Sequence, residues 1–228
     1  MKTKTLILIM ILLMAGLVIF SALIYARLPE SVPTHWNERG EVNGYSSRNT
    51  AVFMLPLIMI GTSLLLIFLP RIDPRRRNIL QFETTYNLFI LVILSFMLFM
   101  HVVTLLAGLG VKIDILNLML PAFAVLEVFM ALLFKQARPN FMIGIRTAWT
   151  LSSDRVWEKT HQLAARLMWA AIPFTLLGMF MGADSIPFLE QAEDVKFFFL
   201  VAPLMAACLI PVVASYIYYR QEKQQIEA

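Results

Sequence analysis

The sequence predicts an all-α membrane protein with six transmembrane helices, and three observations carry that fold class. The first is composition: 59% of the 228 residues are hydrophobic, against about 45–50% in soluble domains. The second is charge. Only 15% of residues are charged, against about 25% in soluble chains, and the mean hydropathy is +0.73. The third is the gathering of apolar residues into six runs. A hydrocarbon core about 30 Å thick takes about 20 helical residues. Backbone groups in lipid must find partners within their own segment, which favours helices. The period-two alternation of a membrane β-barrel is absent.

The runs follow in order. Residues 5–26, 49–70 and 84–111 hold no fixed charge, and 115–134 holds one carboxylate, Glu127. Residues 167–183 are short and extend back through Leu163, while 197–219 are again uncharged. Lys2 and Lys4 precede the first run as they would in a signal peptide. A run of about 20 residues exceeds the usual 7–15 of a cleaved leader, so it reads as a retained helix. Pro56, Pro121, Pro173, Pro203 and Pro211 lie inside runs. In membrane helices neighbours can repair the lost bond, and such prolines are read as shaping packing rather than as gating hinges.

Orientation follows from Lys and Arg. With the N-terminus inside, inner segments hold 14 of these residues and outer segments 5, which accounts for all 19. Both termini are then cytoplasmic in the cell membrane. The net charge of +4 is a topology signal, and no nucleic-acid partner is read from it. The lone Cys208 permits no intrachain disulfide and no cysteine metal site. No cofactor is implied. The basic loop 71–77 is the natural boundary between a two-helix unit, 1–72, and a four-helix core, 73–228.

Two connectors carry more than connection needs. The stretch 138–161, RPNFMIGIRTAWTLSSDRVWEKTH, gathers Asn140, Gly144, Arg146, Thr147, Trp149, Thr150, Trp157 and His161. A loop specified beyond its linking role hints at function. Pro139 biases Arg138 away from helix, and Gly144 allows φ > 0 or close backbone approach. Arg146 offers a planar fork for a carboxylate, a phosphate or several carbonyls. We expect it folded back into the inner mouth of the bundle. Ser152 or Ser153 suits a helix cap, with Asp154 in the first turn. Beyond it Arg155, Glu158, Lys159, Gln162 and Arg166 share one face, and Trp157, His161, Ala164 and Met168 the other. That pattern predicts an interfacial amphipathic helix ahead of the fifth span.

The second connector is the outer loop LPESVPTHWNERGEVNGYSSR, with Pro33, His35, Trp36, Asn37, Gly40 and Gly44. Residues 37–40 fit a type I turn, and Asn43-Gly44 fits a tight hairpin turn. His35 with Glu38 or Glu41 is a thin basis for metal; the plainer reading is a histidine bonded to its own turn. His161 lies a bilayer away from His35, and only His101 is near enough to meet it, so no metal site is read. Inside the bundle, Glu127 and His101 are the ionisable groups. Groups at such depth are usually paired or functional; Arg146, Arg166 and Asn87 are the candidate partners of Glu127.

With these residues in view, GIRTAWTL followed by Trp157, Thr160-His161 and Arg166 resembles the core signature of the SdpI family. The outer HWN loop resembles the N-terminal domain of unknown function that often precedes that core. Together they cover nearly the whole chain. Ala148 stands where the family usually has proline, and Ala165 where it often has glycine. Asn43 and Arg48 replace the commoner aspartate and lysine. The resemblance implies a non-enzymatic, six-helix immunity and signalling protein. Its partners would be membrane lipid, a membrane-active peptide toxin at the outer face and a cytoplasmic repressor at the connector. Two other classes stay open on the residues alone. One is a small transporter or channel using Glu127. The other is a membrane enzyme acting at the inner face through Arg146 and His161.

Overall fold

The computed structural model describes residues 1–182 and 192–227. Eight α-helices and one hairpin are found there: α1 Thr3–Tyr25, β1 Ser31–Trp36, β2 Val42–Ser47, α2 Arg48–Ile72, α3 Arg76–Leu80, α4 Glu83–Gly108, α5 Ile115–Gln136, α6 Ala148–Ser152, α7 Asp154–Leu177, which a 3-10 turn at Gly178–Phe180 extends, and α8 Ala192–Glu227. Six of them, all but α3 and α6, are long and apolar enough to cross a membrane. The chain is a multi-pass membrane protein. Many large apolar side chains on α1, α2 and α8 face outward, Leu23 at 72% exposure and Leu57 at 66% among them. In water that surface would be untenable, whereas lipid covers it without cost.

The spans pack unequally. α5 is the most enclosed, and α1 the least. α7 packs along both α5 and α8, and α4 along α5, α2 and α1. The core is divided into layers. Leu6, Tyr86, Ile90, Leu133, Ile143 and Trp157 meet at the end bearing both termini. Leu116, Leu120, Val103 and Leu200 meet near the other end. Small residues, Ala131, Ala164, Ala165 and Ala207, let α5, α7 and α8 approach closely. Prolines sit inside α2, α5, α7 and α8 without ending them.

Three expectations need correction. The fold is not purely α: in the outer loop β1 and β2 form an antiparallel pair from Ser31–Ser47 to Trp36–Val42. Its turn lies at 37–41, where Gly40 N donates to Asn37 O at 2.9 Å and Asn37 N to Glu41 O at 2.9 Å. Asn43-Gly44 is therefore inside β2 and not the hairpin turn. Gly44 stands opposite His35, and a Cβ there would come within 2.8 Å of the His35 Cβ. Close strand approach, and not turn geometry, is what requires glycine at that position.

The polar lead-in to the fifth span is not a separate interfacial helix. α7 runs unbroken from Asp154 to Leu177. The face assignment holds: Trp157, His161, Ala164 and Met168 are buried, while Arg155, Glu158, Lys159, Gln162 and Arg166 are exposed. The charged stripe simply continues into the span. α8 likewise continues past the last apolar run, to Glu227. Of the acidic stretch 184–194 between the last two apolar runs, residues 184–191 lie outside the described residues. Asp194 is described, and it pairs with Arg39 at 3.3 Å.

Candidate functional site: the connector between α5 and α7

The connector is held by side chains that bond backbone. Asn140, 1% exposed, organises its first turn. Its Oδ1 accepts from Met142 N at 2.9 Å and Ile143 N at 2.6 Å. Its Nδ2 donates to Arg138 O at 2.8 Å and Ile143 O at 2.9 Å. One amide side chain thus satisfies four backbone groups that a loop leaves without partners.

Gly144 follows at φ 116°, a conformation open to glycine and strained for other residues. A Cβ at this position would collide with His161 Nε2 and come 3.2 Å from Trp157 Cζ2. The backbone is pressed onto a pair of stacked rings, Trp157 and His161, whose centroids lie 4.1 Å apart. Trp157, fully buried, donates from Nε1 to Ala137 O at 3.0 Å. Ile145 N donates to His161 Nε2 at 3.0 Å. A ring nitrogen that accepts carries no proton, so the hydrogen sits on Nδ1. There it donates to Trp157 O, 2.9 Å away. Both nitrogens are occupied and His161 is neutral.

The second half of the connector is a capping box. Thr147 Oγ1 accepts from Thr150 N at 3.2 Å, and Thr147 N donates to Thr150 Oγ1 at 2.9 Å. Thr150 Oγ1 also donates to Ile145 O at 2.9 Å. Thr147 Oγ1 lies 3.0 Å from Ser215 Oγ, which ties the connector to α8. Trp149 is half-buried against Tyr216 on the same helix, 5.1 Å between centroids. Ser153 caps α7 by accepting from Val156 N at 3.2 Å. Ser152 instead bonds Trp149 O.

Arg146 corrects the reading of an arginine turned into the inner mouth. It is exposed, and its Nη1 donates to Phe141 O at 2.9 Å. It latches the loop from outside, where water solvates the rest of the guanidinium. Arg166 is also exposed. Neither reaches Glu127, whose partner is Thr175 on α7: Thr175 Oγ1 donates to Glu127 Oε1 at 2.9 Å. Glu127 is 1% exposed, and its Oε2 has no partner among the described residues. Asn87, the third candidate partner, donates to Met1 O and Thr3 Oγ1 instead.

Sequence reasoning missed Asp73. It sits in the basic loop before α3, 4% exposed. Its Oδ1 accepts from Arg75 N at 2.6 Å and its Oδ2 from Phe141 N at 2.8 Å. Asn78 adds a second tie, donating to Pro139 O at 2.7 Å. A single carboxylate among four arginines was the available signal. Around this closed centre the rim is charged, with Arg75–Asp154 at 3.0 Å and Arg138–Glu158 at 3.5 Å.

At the opposite end the outer-loop residues serve the hairpin. Pro33 and Trp36 lie in β1, and Trp36 packs beside Ile115 and Leu116. Asn37 Oδ1 accepts from Arg39 N and Glu41 N. His35 Nδ1 is 2.5 Å from Asn43 Oδ1. His101 is bonded to Ser21, Nε2 to Oγ at 3.1 Å, so His35 and His101 do not meet.

Residues 136–215, which contain the whole connector and α7, match the model of the SdpI/YfhL protein family. That stretch is similar to the SdpI/YfhL protein family. Ahead of it, residues 6–60 match a domain of unknown function, DUF1648. That match holds the hairpin with Pro33, His35, Trp36, Asn37, Gly40 and Gly44. The chain is 24% identical over 202 residues to the immunity protein SdpI of Bacillus subtilis (strain 168), covering 88% of this chain and 89% of that one. No solved structure matches. The SdpI/YfhL match therefore coincides with the part of the molecule where side-chain to backbone bonding is densest.

Proposed function

We propose that this chain is a membrane immunity protein that protects its cell against a membrane-active peptide toxin. The likeness over 88% of its length to a protein named for immunity carries this reading. The connector is consistent with it. Asn140, His161, Thr147 and Thr150 spend their polar atoms on the loop's own backbone and on one another. Such a centre shapes a surface and leaves no nucleophile–base pair free for bond chemistry.

In this reading both termini are cytoplasmic, as the Lys and Arg asymmetry requires. The two-helix unit 1–72 carries the hairpin on the outer face, where it first meets a peptide arriving from outside. The core 73–228 carries the connector on the inner face. Its charged rim, Arg75, Arg138, Arg146 and Glu158, is the surface that a cytoplasmic repressor would contact.

Expression in a toxin-sensitive bacterium tests the proposal. Survival against graded doses of secreted membrane-active peptides should rise, and replacing residues 31–47 by a flexible linker should abolish the gain. Absence of protection at confirmed membrane expression would overturn it. Buried Glu127, whose Oε2 has no partner among the described residues, favours a second reading, a small transporter. Proteoliposome flux that disappears in Glu127→Gln would establish that reading instead.

A further inference from the structure

At the base of the hairpin lies a cleft of about 400 Å³, lined by Tyr25, Glu30, Ser47, Arg48 and Asn49. Tyr25 also lines a second cavity, an apolar groove of about 330 Å³ between α1 and α2. Val18, Ser21 and Ala22 wall that groove on α1, and Val52, Phe53 and Pro56 on α2. Positions 18, 21, 22 and 25 share one face of α1, and 49, 52, 53 and 56 one face of α2. One seam thus leads from the polar cleft into the apolar groove.

The cleft holds two opposite charges that leave each other free. Arg48 N donates to Glu30 O at 2.9 Å, which sets the two residues across the base of the hairpin. Yet no ion pair joins their side chains among the described residues. The guanidinium is instead held 5.5 Å over the Tyr25 ring, with Nε donating to Pro29 O at 3.3 Å. Its two Nη groups and the Glu30 carboxylate have no hydrogen-bond partner among the described residues.

We propose that cleft and groove together bind a zwitterionic phospholipid with a primary amine, its phosphate on Arg48, its ammonium on Glu30 and one acyl chain between α1 and α2. Charge complementarity carries the assignment. A guanidinium with free Nη groups matches phosphate oxygens, and a carboxylate accepts from the N–H of a primary ammonium. A quaternary ammonium has no N–H to donate. An anionic head without an amine leaves Glu30 facing negative charge. Access agrees: Glu30, Asn49, Ala22 and Phe53 are exposed, and Arg48 is half-buried. Depth agrees as well. Tyr25 ends α1 and Arg48 begins α2. Spans of 23 and 25 residues exceed the about 20 that hydrocarbon requires, so these ends stand at the headgroup level. Val18 lies roughly 10 Å deeper at 1.5 Å per residue, where an acyl chain belongs. Ser21, the polar side chain in the groove, is already bonded to His101.

The test is native mass spectrometry of the full chain with equimolar phosphatidylethanolamine, phosphatidylcholine and phosphatidylglycerol carrying identical acyl chains. The wild-type chain should retain the ethanolamine lipid about fivefold over either of the others, the worth of one net hydrogen bond. In Glu30→Gln its lead over phosphatidylcholine should vanish. Arg48→Gln should lower retention of all three. Ala22→Phe, which fills the groove and keeps both charges, should also lower all three. Equal retention of the three lipids by the wild-type chain, or a preference for phosphatidylglycerol, overturns the proposal. So does an ethanolamine preference that survives Glu30→Gln, or retention undiminished in Arg48→Gln or Ala22→Phe. Where a variant fails to elute as a folded species, the wild-type ranking of the three lipids decides alone.

Discussion

Gly144→Ala is the sharpest perturbation the connector offers. The added methyl has two separable costs. Its backbone must hold φ at 116°, a region that costs a residue with a Cβ on the order of 1–3 kcal/mol. Its Cβ also arrives where His161 Nε2 stands. Moving the imidazole breaks the bond from Ile145 N, a further ~1 kcal/mol for the net bond, and more if the amide stays buried. Together the loss is about 2–4 kcal/mol. For a chain of this size each kcal/mol shifts the midpoint by about 2–4 °C, so Tm should fall by roughly 4–16 °C. Thermal unfolding in detergent, followed by fluorescence-detected size exclusion, measures it. The collision has its own signature. In a double-mutant cycle His161→Ala should relieve part of the Gly144→Ala loss, because the two groups compete for one space. A Gly144→Ala midpoint within about 1 °C of wild type, or full additivity with His161→Ala, would refute the account of a backbone pressed onto that ring.

Three further outcomes are expected. Asp73→Ala removes an acceptor shared by Arg75 N and Phe141 N and should cost about 2–4 kcal/mol, with faster amide exchange at Phe141 in hydrogen–deuterium measurements. Arg146→Ala should change stability by less than about 1 kcal/mol in the same melting assay, because the lost bond is exposed to water; a larger loss would restore an inward-facing arginine. Thr175→Val should destabilise by about 1–3 kcal/mol because it strands Glu127 Oε1, and adding Glu127→Leu should recover much of that in the thermal scan.

The spans were legible because an uncharged run of about 20 residues has few other fates. Local chemistry was legible too. Gly144 takes positive φ, Ser153 caps α7, and His35 bonds within its own hairpin. Each of those is decided by residues a few positions apart. What failed depended on distance along the chain. The partner of Asp73 is 68 residues away, and that of Glu127 is 48 away, and no spacing encodes either. Arg146 misled because apolar neighbours suggested burial, yet a loop has no period to say which side faces inward. The α7 stripe misled differently. Its faces were right, but a charged face does not reveal whether a helix stops at the interface or carries on. The hairpin was obscured by Pro33 and Gly44, which break the alternation that marks a strand.

Asp73 has one more consequence, a mechanical one. It closes the loop after α2, beyond the residues matching DUF1648, and grips the loop before α6, inside the stretch that matches SdpI/YfhL. Arg39 and Asp194 join the hairpin to α8 at the far end. The α2–α3 loop and the hairpin are thus each tied to the stretch that matches SdpI/YfhL, by buried Asp73 and by half-exposed Arg39. Through that carboxylate the end of α2 and the start of the connector share one acceptor, so neither can shift without breaking a bond to the other.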